Sequence, residues 1–315
     1  MTQSQAPHAA PLVKPGLDAA AAAILVGCCV IWGAGLVMVK IANEGISPVL
    51  NSGLRSVAAG IVLFAWTRLR GIALFSRDGT LVAGIVCGIV FALEFLTLYE
   101  GVARTQASRA IIFLNCAPFV AAIGEHFLVP GHKLTKLRIA GLVAAFAGLG
   151  VALSERLLDG SGAAGATLVG DILCLMAGIF WGLTTVIVKT TPLRTAPAEK
   201  TMLYQLGVSA LVLVPASYLM GEAGITSADP KVWLAFAYTV LLVVVLGYTT
   251  WFWLMRRYSA ASLHAFTFLT PIFGVIAGHL ILGERFGWPV VAGLALVALG
   301  IWMVNMPGRA QPKPG

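Results

Sequence analysis

Val30–Lys40 reads VIWGAGLVMVK, and Ile179–Lys189 reads IFWGLTTVIVK. Five of the eleven positions coincide, among them Trp-Gly at Trp32/Gly33 and Trp181/Gly182 and a closing Lys at Lys40 and Lys189. The offset is 149 residues in a chain of 315, so the phrase is the visible part of an internal duplication. Two further blocks extend it. Pro118 stands 23 residues before Gly141, with Gly148 seven later, while Pro271 stands 22 before Gly293, with Gly300 seven later. Aligning LYEGVARTQAS from Leu98 with FWLMRRYSAAS from Phe252 pairs Tyr99 with Trp253 and Ser108 with Ser262.

What is duplicated follows from composition. With 59% hydrophobic and 11% charged residues and a mean hydropathy of +0.91, the chain has too few charges to cover a soluble globule of its size. Apolar windows long enough for a helix to cross about 30 Å of hydrocarbon fall at 19–41, 48–67, 80–100, 107–129 and 135–154, then at 167–189, 199–220, 231–254, 260–282 and 288–306. The expected fold is an all-α integral membrane protein of ten transmembrane helices. Residues 1–18 form a tail, 19–154 a first five-helix repeat, 155–166 a linker, 167–306 a second repeat and 307–315 a second tail.

Five is an odd number of crossings, so the second repeat enters the membrane from the opposite side and the repeats are inverted. Such pairs are a recurring design of secondary transporters, with the substrate bound near the midplane between the halves. Lys and Arg are retained on the cytoplasmic side of short loops. With the N-terminus inside, fourteen of them fall in the cytoplasm, six fall outside, and Arg55 lies within a helix. Both termini are therefore expected in the cytoplasm, and the net charge of +8 needs no nucleic-acid partner. The five cysteines, each inside an apolar window, show no metal-ligand or disulfide spacing. Leu25–Cys28 matches a lipoprotein cleavage pattern, but the apolar run continues to about Val39, unlike such a signal.

The Trp-Gly near the middle of the first helix, the small-residue and Ser pattern leading to Pro118 and Pro271, and ILGERFGWPVVAGLALVALGIWMV from Ile281 resemble the EamA-type members of the drug/metabolite transporter superfamily. The resemblance spans roughly residues 19–306, and Leu282-Gly283-Glu284 is its most specific part. The first half departs from it, because LVPGHK at 128–133 lacks that Glu. The resemblance implies ten helices, an inner-membrane location and export of small metabolites, often amino acids.

An ionisable group inside a membrane helix is costly, so it is a functional candidate by default. Glu94 is the deepest acid, and the repeat pairs it with Tyr248. Trp32, Leu36 and Lys40 follow one helical face, as do Trp181, Thr185 and Lys189. The two Lys read as snorkelling helix ends, and the two Trp as either cavity lining or packing. Phe91, Phe95 and Leu98 place an apolar, aromatic stripe beside Glu94, with Tyr99 one turn beyond Phe95. Asn115 precedes Pro118 by about one turn, and Pro frees a backbone carbonyl that a substrate could meet. His264, Thr267 and Pro271 form the matching polar face of the ninth helix. The candidate substrate contacts are therefore Glu94, Trp32, Leu36, Phe91, Tyr99, Asn115, Trp181, Thr185, Tyr248, His264 and Thr267.

There is no GxxxxGK[ST] loop, so ATP is not expected to drive transport within this chain, and no cofactor is expected. The leading expectation is a secondary exporter of small organic solutes, amino acids foremost, in a lipid bilayer. A carrier of cationic drugs or nucleotide sugars remains open, as does an integral-membrane enzyme acting on lipid. Nucleotide sugars would favour several midplane cations, and Arg55 is the one clear candidate.

Overall fold

The computed structural model describes residues 18–72, 74, 76, 78–128, 136–158, 164–255, 269–284 and 287–305. Ten helical segments cross the bundle among them. These are α1 (Ala19–Ala42), α2 (Pro48–Leu69), α3 (Leu81–Arg104), α4 (Ala107–Leu114 and Ala117–Leu128), α5 (Lys136–Leu158) and α6 (Ala164–Thr190). They continue as α7 (Ala198–Leu219), α8 (Pro230–Tyr238, Thr239–Tyr248 and Thr249–Met255), α9 (Leu269–Leu282) and α10 (Trp288–Asn305). Seven are long and apolar enough to cross a membrane, and shorter apolar stretches lie in α5, α9 and α10. Mid-helix residues such as Ile61, Val143 and Leu211 are more than half exposed, an apolar outer surface that only lipid covers favourably. The protein is an all-α, multi-pass membrane protein built of repeats.

Helix ends follow local chemistry. Asp18 caps α1 by accepting from the Ala21 amide at 2.9 Å, and Asp229 caps α8 through the Lys231 amide at 2.9 Å. Pro48 opens α2, where no Ser47 side-chain cap forms. Instead the Glu222 carboxylate, from the loop after α7, accepts from the Val49 and Leu50 amides at 2.9 Å each. One half of the protein thus caps a helix of the other.

The main packing between the halves respects the inversion. If each helix of one half is exchanged for its partner five places away, the pair α1·α8 becomes α6·α3, α1·α9 becomes α6·α4, and α2·α8 becomes α7·α3. The pairs α2·α7, α4·α9 and α5·α10 map onto themselves, and all nine contacts are present. The repeated Trp-Gly is explained here. A Cβ on Gly33 would lie 2.8 Å from the Gly274 amide and the Phe273 Cβ of α9, and one on Gly182 would lie 2.5 Å from the Val120 Cβ of α4. Both crossings need a residue without a side chain. Gly84 and Gly88 similarly admit Tyr204 and Val208 of α7.

The end of the bundle where α1 starts is termed proximal below, and the end where α1 finishes distal. Both are stapled across the halves by loops that the repeat exchanges. Distally, Ser47 and Gly224 exchange backbone and side-chain hydrogen bonds of 2.9–3.0 Å, and Ile46 bridges Ile225. Proximally, the Lys200 ammonium at the start of α7 reaches Asp78 at 2.8 Å and both the carbonyl and the hydroxyl of Ser76 at 3.1 Å. The α2–α7 pair is held at both ends.

Candidate functional site

Between these staples, α2, α3 and α8 meet around buried polar groups. Glu94 is 5% exposed and Arg55 3%. At 1.5 Å of rise per residue, Arg55 lies roughly 10 Å and Glu94 roughly 15 Å below the distal ends of their helices. Arg55 is held by aromatic faces, its guanidinium carbon 3.8 Å from the Phe95 ring centre and 5.6 Å from that of Tyr99. Such contacts return about 0.5–2 kcal/mol of what dehydration costs. Phe91 continues the stack, 4.5 Å from Phe95.

Glu94 and Arg55 do not form an ion pair. Glu94 Oε2 and Arg55 Nε and Nη2 are buried with no hydrogen-bond partner. Tyr248, from the second half, lies within electrostatic reach of Arg55, Glu94 and Tyr99. Tyr248, which the repeat pairs with Glu94 in sequence, thus lies in the same electrostatic neighbourhood as Glu94. Asn51, Ser52 and Ser56 extend the buried polar stripe along α2.

Trp32 comes in from α1 and packs 6.0 Å from Tyr248 and 5.6 Å from Trp251. Its indole N–H donates to the Val243 carbonyl at 3.4 Å. That carbonyl belongs to Thr239–Tyr248, a π-helical stretch of α8, and π geometry is uncommon enough to mark functional positions. Gly247 leaves the room for the indole, since a Cβ there would lie 2.5 Å from Trp32 Nε1.

The remaining candidates are dispersed. Leu36 is 8% exposed within the apolar core. Asn115 sits at the break in α4, but its side-chain amide donates back to the Ile111 carbonyl at 2.7 Å, which also accepts from the Asn115 backbone N–H at 3.2 Å, so the side chain is turned onto its own helix. Trp181 lies on α6 and is 42% exposed, and the Thr185 hydroxyl turns back onto the Trp181 carbonyl at 3.3 Å. His264 and Thr267 lie outside the described residues. A cleft of about 590 Å³ between α1, α8 and α9 is lined by outward-facing residues including Leu234 and Ile281, and it belongs to the distal rim.

At the distal end the structure reveals charges that sequence spacing does not connect. Lys40, expected to snorkel, instead donates to Glu284 Oε1 at 3.0 Å and to the Thr105 carbonyl at 3.1 Å. The same Glu284 oxygen accepts from the Ala107 amide that opens α4, at 2.8 Å. Beside it, Arg109 and Asp171 are each 2% exposed and joined at 2.7 Å through Nη2, with Nε 3.3 Å from both carboxylate oxygens. Thr105 donates its hydroxyl to Asp171 at 2.6 Å. The network ties α1 and α4 of the first half to α6 and the α9–α10 loop of the second. The sequence signals for it were Lys40 at the close of the repeated phrase and Leu-Gly-Glu before α10; Asp171 gave none beyond being an acid in an apolar window.

The chain matches the EamA-like transporter family over residues 19–154 and again over 168–306. It belongs to that family. Curated relatives of this EamA-like protein include an uncharacterized transporter of Archaeoglobus fulgidus, 25% identical over 281 residues, covering 87% of this chain and 93% of the relative. The uncharacterized inner membrane transporter YedA of Escherichia coli K12 is 25% identical over 291 residues, covering 87% and 89%. A Salmonella typhimurium protein named "Probable amino-acid metabolite efflux pump" is 25% identical over 285 residues, covering 87% and 91%. A solved crystal structure shares the fold with a TM-score of 0.65 at 18% identity, covering 91% of this chain and 96% of that one. The protein is thus a membrane transporter of the EamA-like family.

Proposed function

We propose that this transporter is a secondary active exporter of small organic metabolites, amino acids foremost, acting by alternating access across the inner membrane with no catalytic step. Both termini face the cytoplasm in this reading, so the proximal end is cytoplasmic and the distal end periplasmic. The observation that carries it is the buried Glu94 carboxylate, whose Oε2 has no hydrogen-bond partner, on a helix that packs against α6 and α7 of the other half. A carboxylate withdrawn from water is expensive, and an ammonium-bearing solute or a coupling proton would neutralise it. Aromatic faces from both halves, Phe91, Phe95, Trp32 and Tyr248, supply the apolar wall. The similarity to a protein named as an amino-acid metabolite efflux pump supports the substrate class.

Alternating access requires the two ends to open in turn. In the conformation described, Lys40–Glu284 and Arg109–Asp171 hold the distal end across the halves, and exchange would require these contacts to loosen. The test is uptake of radiolabelled amino acids into inverted membrane vesicles containing the protein. Uptake above that of vesicles without it supports the reading; no uptake of any amino acid refutes it.

A further inference from the structure

We propose that Arg55 and Glu94 are the two ends of one subsite that selects zwitterions, Arg55 taking a substrate carboxylate and Glu94 its ammonium group. The inference rests on the central polar group being the transport site and adds an anion anchor to it. Three observations carry it.

The first is the identity of the unpartnered atoms. On Arg55 they are Nε and Nη2, the two nitrogens of one guanidinium edge, whose parallel N–H bonds match the two oxygens of a carboxylate. The same protein displays that match elsewhere, because Arg109 uses its own Nε and Nη2 to hold the Asp171 carboxylate. The edge that Asp171 occupies on Arg109 is the edge left over on Arg55.

The second is contrast within the bundle. Arg109 with Asp171, Lys200 with Asp78 and Lys40 with Glu284 are all closed ion pairs of 2.7–3.0 Å. Arg55 and Glu94, at 3% and 5% exposure, are buried as deeply as Arg109, Asp171, Lys200 and Glu284, yet Glu94 Oε2 faces no donor. A direct pair would satisfy both groups. Holding opposite charges apart in a dehydrated interior is costly, and a molecule carrying both complementary charges, one at each end, removes that cost.

The third is rigidity. The Arg55 guanidinium is pinned between Phe95 and Tyr99, and Glu94 precedes Phe95 on the same helix, so the two charges keep a fixed relation on adjoining helices. A bound α-amino acid would direct its side chain along the Phe91 stripe. An amine without a carboxylate would leave the Arg55 edge dehydrated and empty, and a carboxylate without an amine would do the same to Glu94. Sites built this way reject the incomplete analogue.

The experiment uses the full-length protein reconstituted in proteoliposomes, with counterflow of L-leucine, L-phenylalanine and L-threonine as probes. Each is competed against its decarboxylated amine and its deaminated carboxylate. At least one zwitterion should be carried, with both incomplete analogues competing about 100-fold more weakly. Arg55→Gln should abolish the preference of zwitterion over amine, and Arg55→Lys, which keeps the charge without the fork, should weaken zwitterion binding about tenfold. Since the analogue series needs only the wild-type protein, it decides the matter even if a variant fails to fold. An amine that competes as well as its amino acid, with both lost in Glu94→Gln, overturns the zwitterion subsite and leaves the central transport site standing. Failure to carry any of the three zwitterions or their amines overturns both.

Discussion

Asp171→Asn isolates the energetics of the distal network. Asp171 accepts from Thr105 at 2.6 Å and from Arg109 at 2.7 Å, with both members of the ion pair 2% exposed. Asparagine keeps the shape and removes the charge, which strands the Arg109 guanidinium in the interior. Breaking a buried pair from one side costs about 3–5 kcal/mol. At about 2–4 °C per kcal/mol for a chain of this size, the melting temperature should fall by roughly 6–20 °C. Arg109→Met combined with Asp171→Leu removes both charges and should recover most of the loss, because apolar replacement of a whole pair is near neutral. The protein supplies its own reporter, since Cys28, Cys29, Cys87, Cys116 and Cys174 are buried thiols outside any disulfide and a thiol-reactive dye will record unfolding in detergent. A single variant that melts with the wild type, or a double variant no better than the single, refutes the reasoning.

Three further outcomes are expected. Gly33→Ala should lower the melting temperature, because its Cβ meets the backbone of α9 at 2.8 Å, whereas Gly27→Ala, with nothing within 4 Å, should not; overpacking of this kind costs about 1–3 kcal/mol. The Lys200 ammonium and then the Thr80 hydroxyl hold the Asp78 carboxyl well below the usual carboxylate range. A lowered folded-state pKa stabilises above the unfolded value of about 3.9, and that stabilisation fades as pH falls below it. The melting difference between wild type and Asp78→Asn should therefore be full at neutral pH and shrink under acid, and a difference constant with pH would contradict the assignment. A reporter fused after Gly315 should be active only in the cytoplasm, and a periplasmic signal would overturn the proposed orientation.

The reach of the sequence had a physical boundary. Apolar windows, the Trp-Gly repeat and the odd helix count depend on residues close in the chain or on exact periodicity, and they gave ten helices and their inversion. The pairing of Glu94 with Tyr248 in the repeat was legible for the same reason, and Tyr248 lies within electrostatic reach of Glu94. Arg109–Asp171 and Lys40–Glu284 join residues 62 and 244 positions apart, and no local pattern encodes such a contact. Asn115 was visible as a polar residue beside Pro118, but whether its amide faces a substrate or caps its own helix is decided by a side-chain rotation. The π stretch of α8 is likewise silent, because Thr239–Tyr248 contains no residue that demands it.

The central claim is that the Glu94 charge takes part in transport. Glu94→Gln keeps volume and most hydrogen-bonding capacity while removing the charge, and the loss of one charge-assisted hydrogen bond in a dehydrated site costs about 1.5–3 kcal/mol. Amino-acid export from proteoliposomes should fall about tenfold or more, with the melting temperature little changed. An export rate and pH dependence equal to those of the wild type would contradict it.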